Sequence, residues 1–134
     1  MDDPARAPRE PAGAPERIAE VLILSREHVP LVEEATQIAF ATWPQIRDSD
    51  AAMRATREDL DATLHVIAAA TLVGDLTLVI DYVRWFEAVL TGHGLPPALV
   101  SSAFELLLGV LPTELVHAGD AAICGLVSRT DKRV

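Results

Sequence analysis

The chain has 134 residues, 50% of them hydrophobic, which is the length and apolar content of one folded domain with its own core rather than of a disordered segment. Acids outnumber bases 20 to 11 for a formal charge of −9, a balance that excludes the clustered Lys and Arg needed to hold nucleic acid or an anionic membrane surface. No apolar run approaches the roughly 20 residues that span a bilayer. The N-terminus is acidic and proline-rich where a signal peptide would be basic and then apolar, and the lone Cys124 excludes an intrachain disulfide, so a cytoplasmic protein is expected.

Ala, Leu and Val dominate the apolar residues and aromatics make up only 4%, a composition that favours helices over strands. The expected class is all-α: a single helical bundle of five to six helices over residues 16–127. Residues 1–15, with Pro4, Pro8, Pro11 and Pro15, read as a disordered tail. A short first helix is expected over Glu16 to Arg26, with Ile18, Val21, Leu22 and Leu24, and Ser25 and Pro30 mark its end. Pro30 then opens a second, to about Thr42, carrying Leu31, Val32, Ala35, Ile38, Ala39 and Phe40 inward. Trp43-Pro44 ends it, Gln45 to Asp50 form a polar connection, and Ser49 or Asp50 caps the next helix.

The organising stretch follows. Leu60, Leu64, Ile67, Ala68, Thr71 and Leu72 share one face of a long helix that Gly74-Asp75 stops, glycine by its left-handed conformation and aspartate by accepting from the amides of the helix beyond. The following helix, Leu76 to Thr91, turns Leu78, Val79, Tyr82, Phe86, Val89 and Leu90 inward, and so short a turn makes the pair an antiparallel hairpin. After Gly92-His93-Gly94, Pro96-Pro97 start a helix to about Leu111, and Pro112 interrupts it. Gly119-Asp120 reads as another stop, with a last short helix over Ala121 to Val127 and a frayed polar end over residues 128–134.

No catalytic constellation is present, so no enzyme is expected. Ser25, Ser49, Ser101 and Ser102 sit outside any nucleophile-elbow pattern, and Cys124 has no histidine near it in sequence. The acids Glu58, Asp59 and Asp61 complement the dipole at the start of their helix. His28, His65, His93 and His117 are scattered, with no His-x-x-x-His, Cys-x-x-Cys or Glu-x-x-His pairing, so no metal centre is expected; His65 lies one helical turn from Asp61. Trp43, Tyr82, Trp85, Phe86 and Phe104 must supply the bulk of any core, interface or ligand contact. Trp85 falls about 60° round from the inner stripe of its helix, at the edge of the bundle, and with Tyr82 and Phe86 it marks a candidate surface for a homodimer or protein partner.

Thr56-Arg57-Glu58-Asp59, Leu64, Gly74-Asp75 and Gly92-His93-Gly94-Leu95-Pro96 together resemble the bilin-binding half of the phycobiliproteins, which are globin-like helical proteins. The same segment, with Asp81-Tyr82-Val83-Arg84-Trp85 after Gly74-Asp75, also looks like the helical bundle that precedes cobalamin-binding domains in bacterial regulators. The resemblance covers less than half of the chain. It implies a regulatory or sensory domain that holds a tetrapyrrole or other small apolar ligand noncovalently, since Thr56 stands where the phycobiliproteins have their bilin-bonding cysteine. Asp59 matches the aspartate that contacts the pyrrole nitrogens in that family. With His65 and Trp43, it forms the expected cofactor-binding set.

Overall fold

In a computed structural model the chain is described over residues 13–128, and every regular element among them is a helix. Of the tail expected over residues 1–15, residues 1–12 lie outside the described residues, while Ala14 and Pro15 already belong to the first helix, proline being suited to a first turn; of the polar end over 128–134, residues 129–134 lie outside them. The five α-helices are α1 (Ala14–Thr42), α2 (Asp50–Val73), α3 (Thr77–Gly92), α4 (Leu99–Val110) and α5 (Val116–Val127), with a short 3-10 helix, Pro44–Asp48, between α1 and α2.

The first two helices expected from the sequence are one. α1 runs for 29 residues straight through Pro30, whose ring removes one backbone donor and crowds the preceding turn at a cost of about 3 kcal/mol. Burial on both sides of it offsets that cost: Leu24 before the proline and Leu31, Val32, Ala35 and Ala39 after it are all buried. The uninterrupted α1 is long enough to lie along α2, and this is the most extensive helix pair in the molecule. His28 meets Asp61 and Glu33 meets Arg57, so a step back along α1 goes with a step forward along α2 and the two are antiparallel.

The expected hairpin of α2 and α3 is present. Gly74 takes a φ of 75° and its N–H bonds to Ala70 O at 2.8 Å, while Asp75 Oδ1 accepts from the Thr77 N–H at 2.9 Å. Thr63 meets Tyr82 across the pair, which fixes the antiparallel sense. Gly74 has a second role, since a Cβ there would stand 3.0 Å from the Arg17 guanidinium of α1. Ser49 caps α2 by accepting from the Ala52 N–H at 3.1 Å.

Two later boundaries differ from expectation. α4 begins at Leu99, because Pro96 and Pro97 spend their carbonyls on single turns to Leu99 and Val100. Gly119-Asp120 does not stop a helix; α5 passes through it from Val116, with the Gly119 N–H on Leu115 O at 2.8 Å. Its start is capped from another element: Glu20 of α1 accepts from the His117 and Ala118 N–H groups at 3.0 and 2.8 Å.

The core between these helices is Leu24, Leu31, Leu60, Leu64, Ile67, Val79, Val83, Val100, Phe104 and Leu107, closed by Ala118, Ala121 and Ala122 of α5. Buried Thr36 and Thr71 return their hydroxyl protons to the carbonyls one turn back, Val32 O and Ile67 O, each at 2.7 Å. Gly125 faces the buried Phe104 ring so closely that a Cβ would collide with it, and this is what lets α5 lie flat on α4. No helix among the described residues is long and apolar enough to cross a membrane.

Candidate functional site

A cavity of about 400 Å3 opens where five elements end near one another. The end of α1 contributes Ala39 and Trp43, the 3-10 helix Ile46, the first half of α2 Thr56, Asp59 and Leu60, the end of α3 Phe86 and Leu90, and α4 with its approach Leu95, Leu99 and Leu106. It exists because α1 must leave the bundle at Trp43. Pro44 cannot continue the α-helix, and the tighter 3-10 turn carries the chain round, with the Ile46 N–H on Trp43 O at 3.0 Å, before α2 starts back.

The walls are mostly apolar, with Gln45, Thr56, Asp59 and Ser102 as the polar exceptions. Asp59 is the single ionisable side chain among the lining residues. Burial raises its carboxyl above the usual carboxylate value, and the neighbouring Glu58 charge pushes the same way. The hydroxyl of Thr56 gives its proton to Ala52 O at 2.8 Å, so it turns only lone pairs toward the cavity. Beside the site, the buried Thr63 hydroxyl donates to Asp59 O at 2.7 Å, and with its one proton so engaged it accepts from the Tyr82 hydroxyl at 2.8 Å. Burial raises the Tyr82 phenol above its usual value; the Thr63 hydrogen bond opposes this and the Asp59 charge adds to it. Tyr82 is thus a neutral donor at physiological pH, and it ties α3 to the turn of α2 that carries Asp59.

Of the three residues expected to hold a ligand, the structure brings two together. Trp43 and Asp59 line the same cavity. His65 does not: at 100° per residue it falls about 120° round α2 from Asp59, and it stacks on His28 of α1 with ring centroids 4.2 Å apart. No histidine lines the cavity, so a heme iron there would have no imidazole ligand from the lining residues. Among the residues expected at an interface, Trp85 is 60% exposed and Tyr82 is half-buried, but Phe86 is only 6% exposed and turns into the core and the cavity. Phe86 is therefore unavailable to a partner. Its ring stands 5.5 Å from Tyr82 and 6.1 Å from Trp85, which places it as the inner support of the exposed tryptophan.

Sequence reasoning missed Ile46, Leu95, Leu99, Ser102 and Leu106 as lining residues. Ile46 is the apolar residue within a stretch that reads as a polar connection, and its signal was there. The others belong to α4 and its approach, and no local pattern distinguishes their cavity face from a core face.

Fold and site together define an all-α bundle with a ligand-sized, mostly apolar cavity lined on one side by the half-buried carboxyl of Asp59. Comparison of the chain with protein-family models and with curated proteins returns no match.

Proposed function

We propose that this domain binds a small apolar molecule carrying a cationic or N–H donor group, and that it serves as a non-enzymatic regulatory or sensory module. The observation that carries the reading is Asp59, a carboxyl of raised pKa facing an apolar cavity of about 400 Å3, within the size range of small-molecule sites. Asp59 and Thr56 offer acceptors on the α2 wall, so a ligand group that meets that wall supplies the donor, while Gln45 and Ser102 can serve in either role. An ammonium, amidine or pyrrole nitrogen meets that requirement, while a carboxylate would repel Asp59. Binding is favoured over catalysis because Asp59 has no second ionisable group among the lining residues with which to exchange a proton.

A tetrapyrrole remains a member of this ligand class through its pyrrole N–H groups, with Trp43 and Asp59 as its contacts and His65 no longer among them. The cavity volume lies toward the lower end of the range for bound small molecules, which favours a chain-like or one- to two-ring ligand over a full tetrapyrrole. The test is a thermal-shift series with matched apolar amines, alcohols and carboxylates, and with biliverdin and heme. Stabilisation by the amines alone, lost in Asp59→Asn, supports the reading. Equal stabilisation by amines and carboxylates would sink it.

A second reading rests on Trp85. A tryptophan 60% exposed, stacked 6.0 Å from Tyr82 and 6.1 Å from Phe86, presents a rigid apolar anchor of the kind that carries protein interfaces. Homodimerisation or docking of a partner through this face of α3 is compatible with ligand sensing, because Phe86 borders both the cavity and Trp85. Light scattering of Trp85→Ala tests it, and an unchanged oligomeric state would remove it.

A further inference from the structure

On the side of α2 turned away from the cavity, His28 of α1 meets Asp61 and His65 of α2. His28 Nε2 lies 2.6 Å from Asp61 Oδ1, and His65 Nδ1 lies 3.4 Å from Asp61 Oδ2. The ligand atoms that the three side chains offer all fall within 4.8 Å of one another. We infer that His28, Asp61 and His65 form a binding site for a divalent transition metal of the zinc class that clips α1 to α2.

The donor set selects the ion. Two imidazoles and one carboxylate suit Zn2+, Ni2+ or Cu2+, whereas Mg2+ and Ca2+ require all-oxygen cages. Tetrahedral zinc with bonds of about 2.1 Å separates its ligand atoms by about 3.4 Å, so rotation of the exposed His65 ring and a small shift of Asp61 complete the arrangement. The side chains grade from inside to out, His28 at 16% exposure, Asp61 at 48% and His65 at 65%, which seats one ligand firmly in the helix interface and leaves the remaining coordination positions to water. His65 Nδ1 lies 3.0 Å from the Asp61 carbonyl oxygen, and turning the exposed ring exchanges this hydrogen bond for the bond to the metal. Binding displaces the proton held between His28 Nε2 and Asp61 Oδ1 and keeps both groups paired.

The test is calorimetric titration of the metal-stripped, tag-free full chain with Zn2+, with Co2+ absorption as a readout of four-coordinate geometry. One equivalent should bind, and His65→Ala, His65→Gln and Asp61→Asn should each weaken it at least about tenfold. His65 is exposed, so its substitution leaves the helices intact by circular dichroism, and His93→Ala at the exposed turn after α3 should leave affinity unchanged. Absence of saturable Zn2+ uptake, parental affinity in both His65 variants, or the same loss in His93→Ala would overturn the inference.

Discussion

Asp59 stands in conflict with its surroundings, and the conflict has a measurable sign. Its folded pKa lies above the unfolded value of 3.8, so the ionised form destabilises the fold, and that penalty is present at neutral pH and relieved as pH falls through the folded pKa. Asp59→Asn should therefore raise the midpoint of thermal unfolding at pH 7, and the gain should shrink to nothing below the unfolded value. A variant no more stable than the parent at pH 7 would show that Asp59 is well solvated. Tyr82→Phe keeps the ring packing on Phe86 and Phe104 and removes only the bond to Thr63, whose own proton stays on Asp59 O. Denaturant unfolding should show a loss of about 0.5–1.5 kcal/mol. The candidate site was half legible in the sequence. Trp43 is one of few aromatics, and Asp59 is singled out only by the resemblance of Thr56-Arg57-Glu58-Asp59 to the phycobiliproteins. His65 was assigned to them because sequence order says nothing of which side of a helix meets which neighbour, and its true companion, His28, lies 33 residues from the shared Asp61.

At the scale of elements, two contacts between distant segments hold the C-terminal helices. Glu20→Ala would strip the start of α5 of both acceptors and leave the part-buried His117 N–H and the buried Ala118 N–H without them, a loss of about 1–3 kcal/mol measurable by chemical unfolding. Gly125→Ala would drive a methyl into the Phe104 ring, which is fully buried and has nowhere to retreat, for a loss of about 1–3 kcal/mol. Phe104→Leu in the same chain should recover part of it, and strict additivity of the two losses would show that the collision is not the cause. These contacts also explain what the sequence hid. The helical period, the Ser49 cap and the Gly74-Asp75 turn are local signals and were readable. Pro30 and Gly119 read as breaks because their local costs are visible, while what offsets them is not: burial of α1 on both sides of the proline, and a cap for α5 that comes from Glu20, 97 residues earlier.

For the whole molecule, α2 is the shared element, with α1 along one side of it, α3 folded back on it and α5 across its far half. The cavity sits at one end of this arrangement, where α1 departs at Trp43 and the 3-10 helix returns the chain, and it borders α3 next to the exposed Trp85. A ligand there would contact the ends of α1 and α3 and the start of α2 at once, so occupancy would stabilise the bundle as a whole. The two tryptophans make this directly observable, since Trp43 lines the cavity and Trp85 does not. The decisive measurement is titration of the Trp85→Phe protein with n-octylamine and with n-octanoate, following the emission of Trp43. A saturable change with the amine, weakened as pH falls through the Asp59 pKa and abolished in Ser102→Phe, where the new ring fills the cavity, is the predicted result. An unchanged Trp43 emission, or an equal response to the carboxylate, would contradict the assignment of the cavity as a binding site for a donor-bearing apolar ligand.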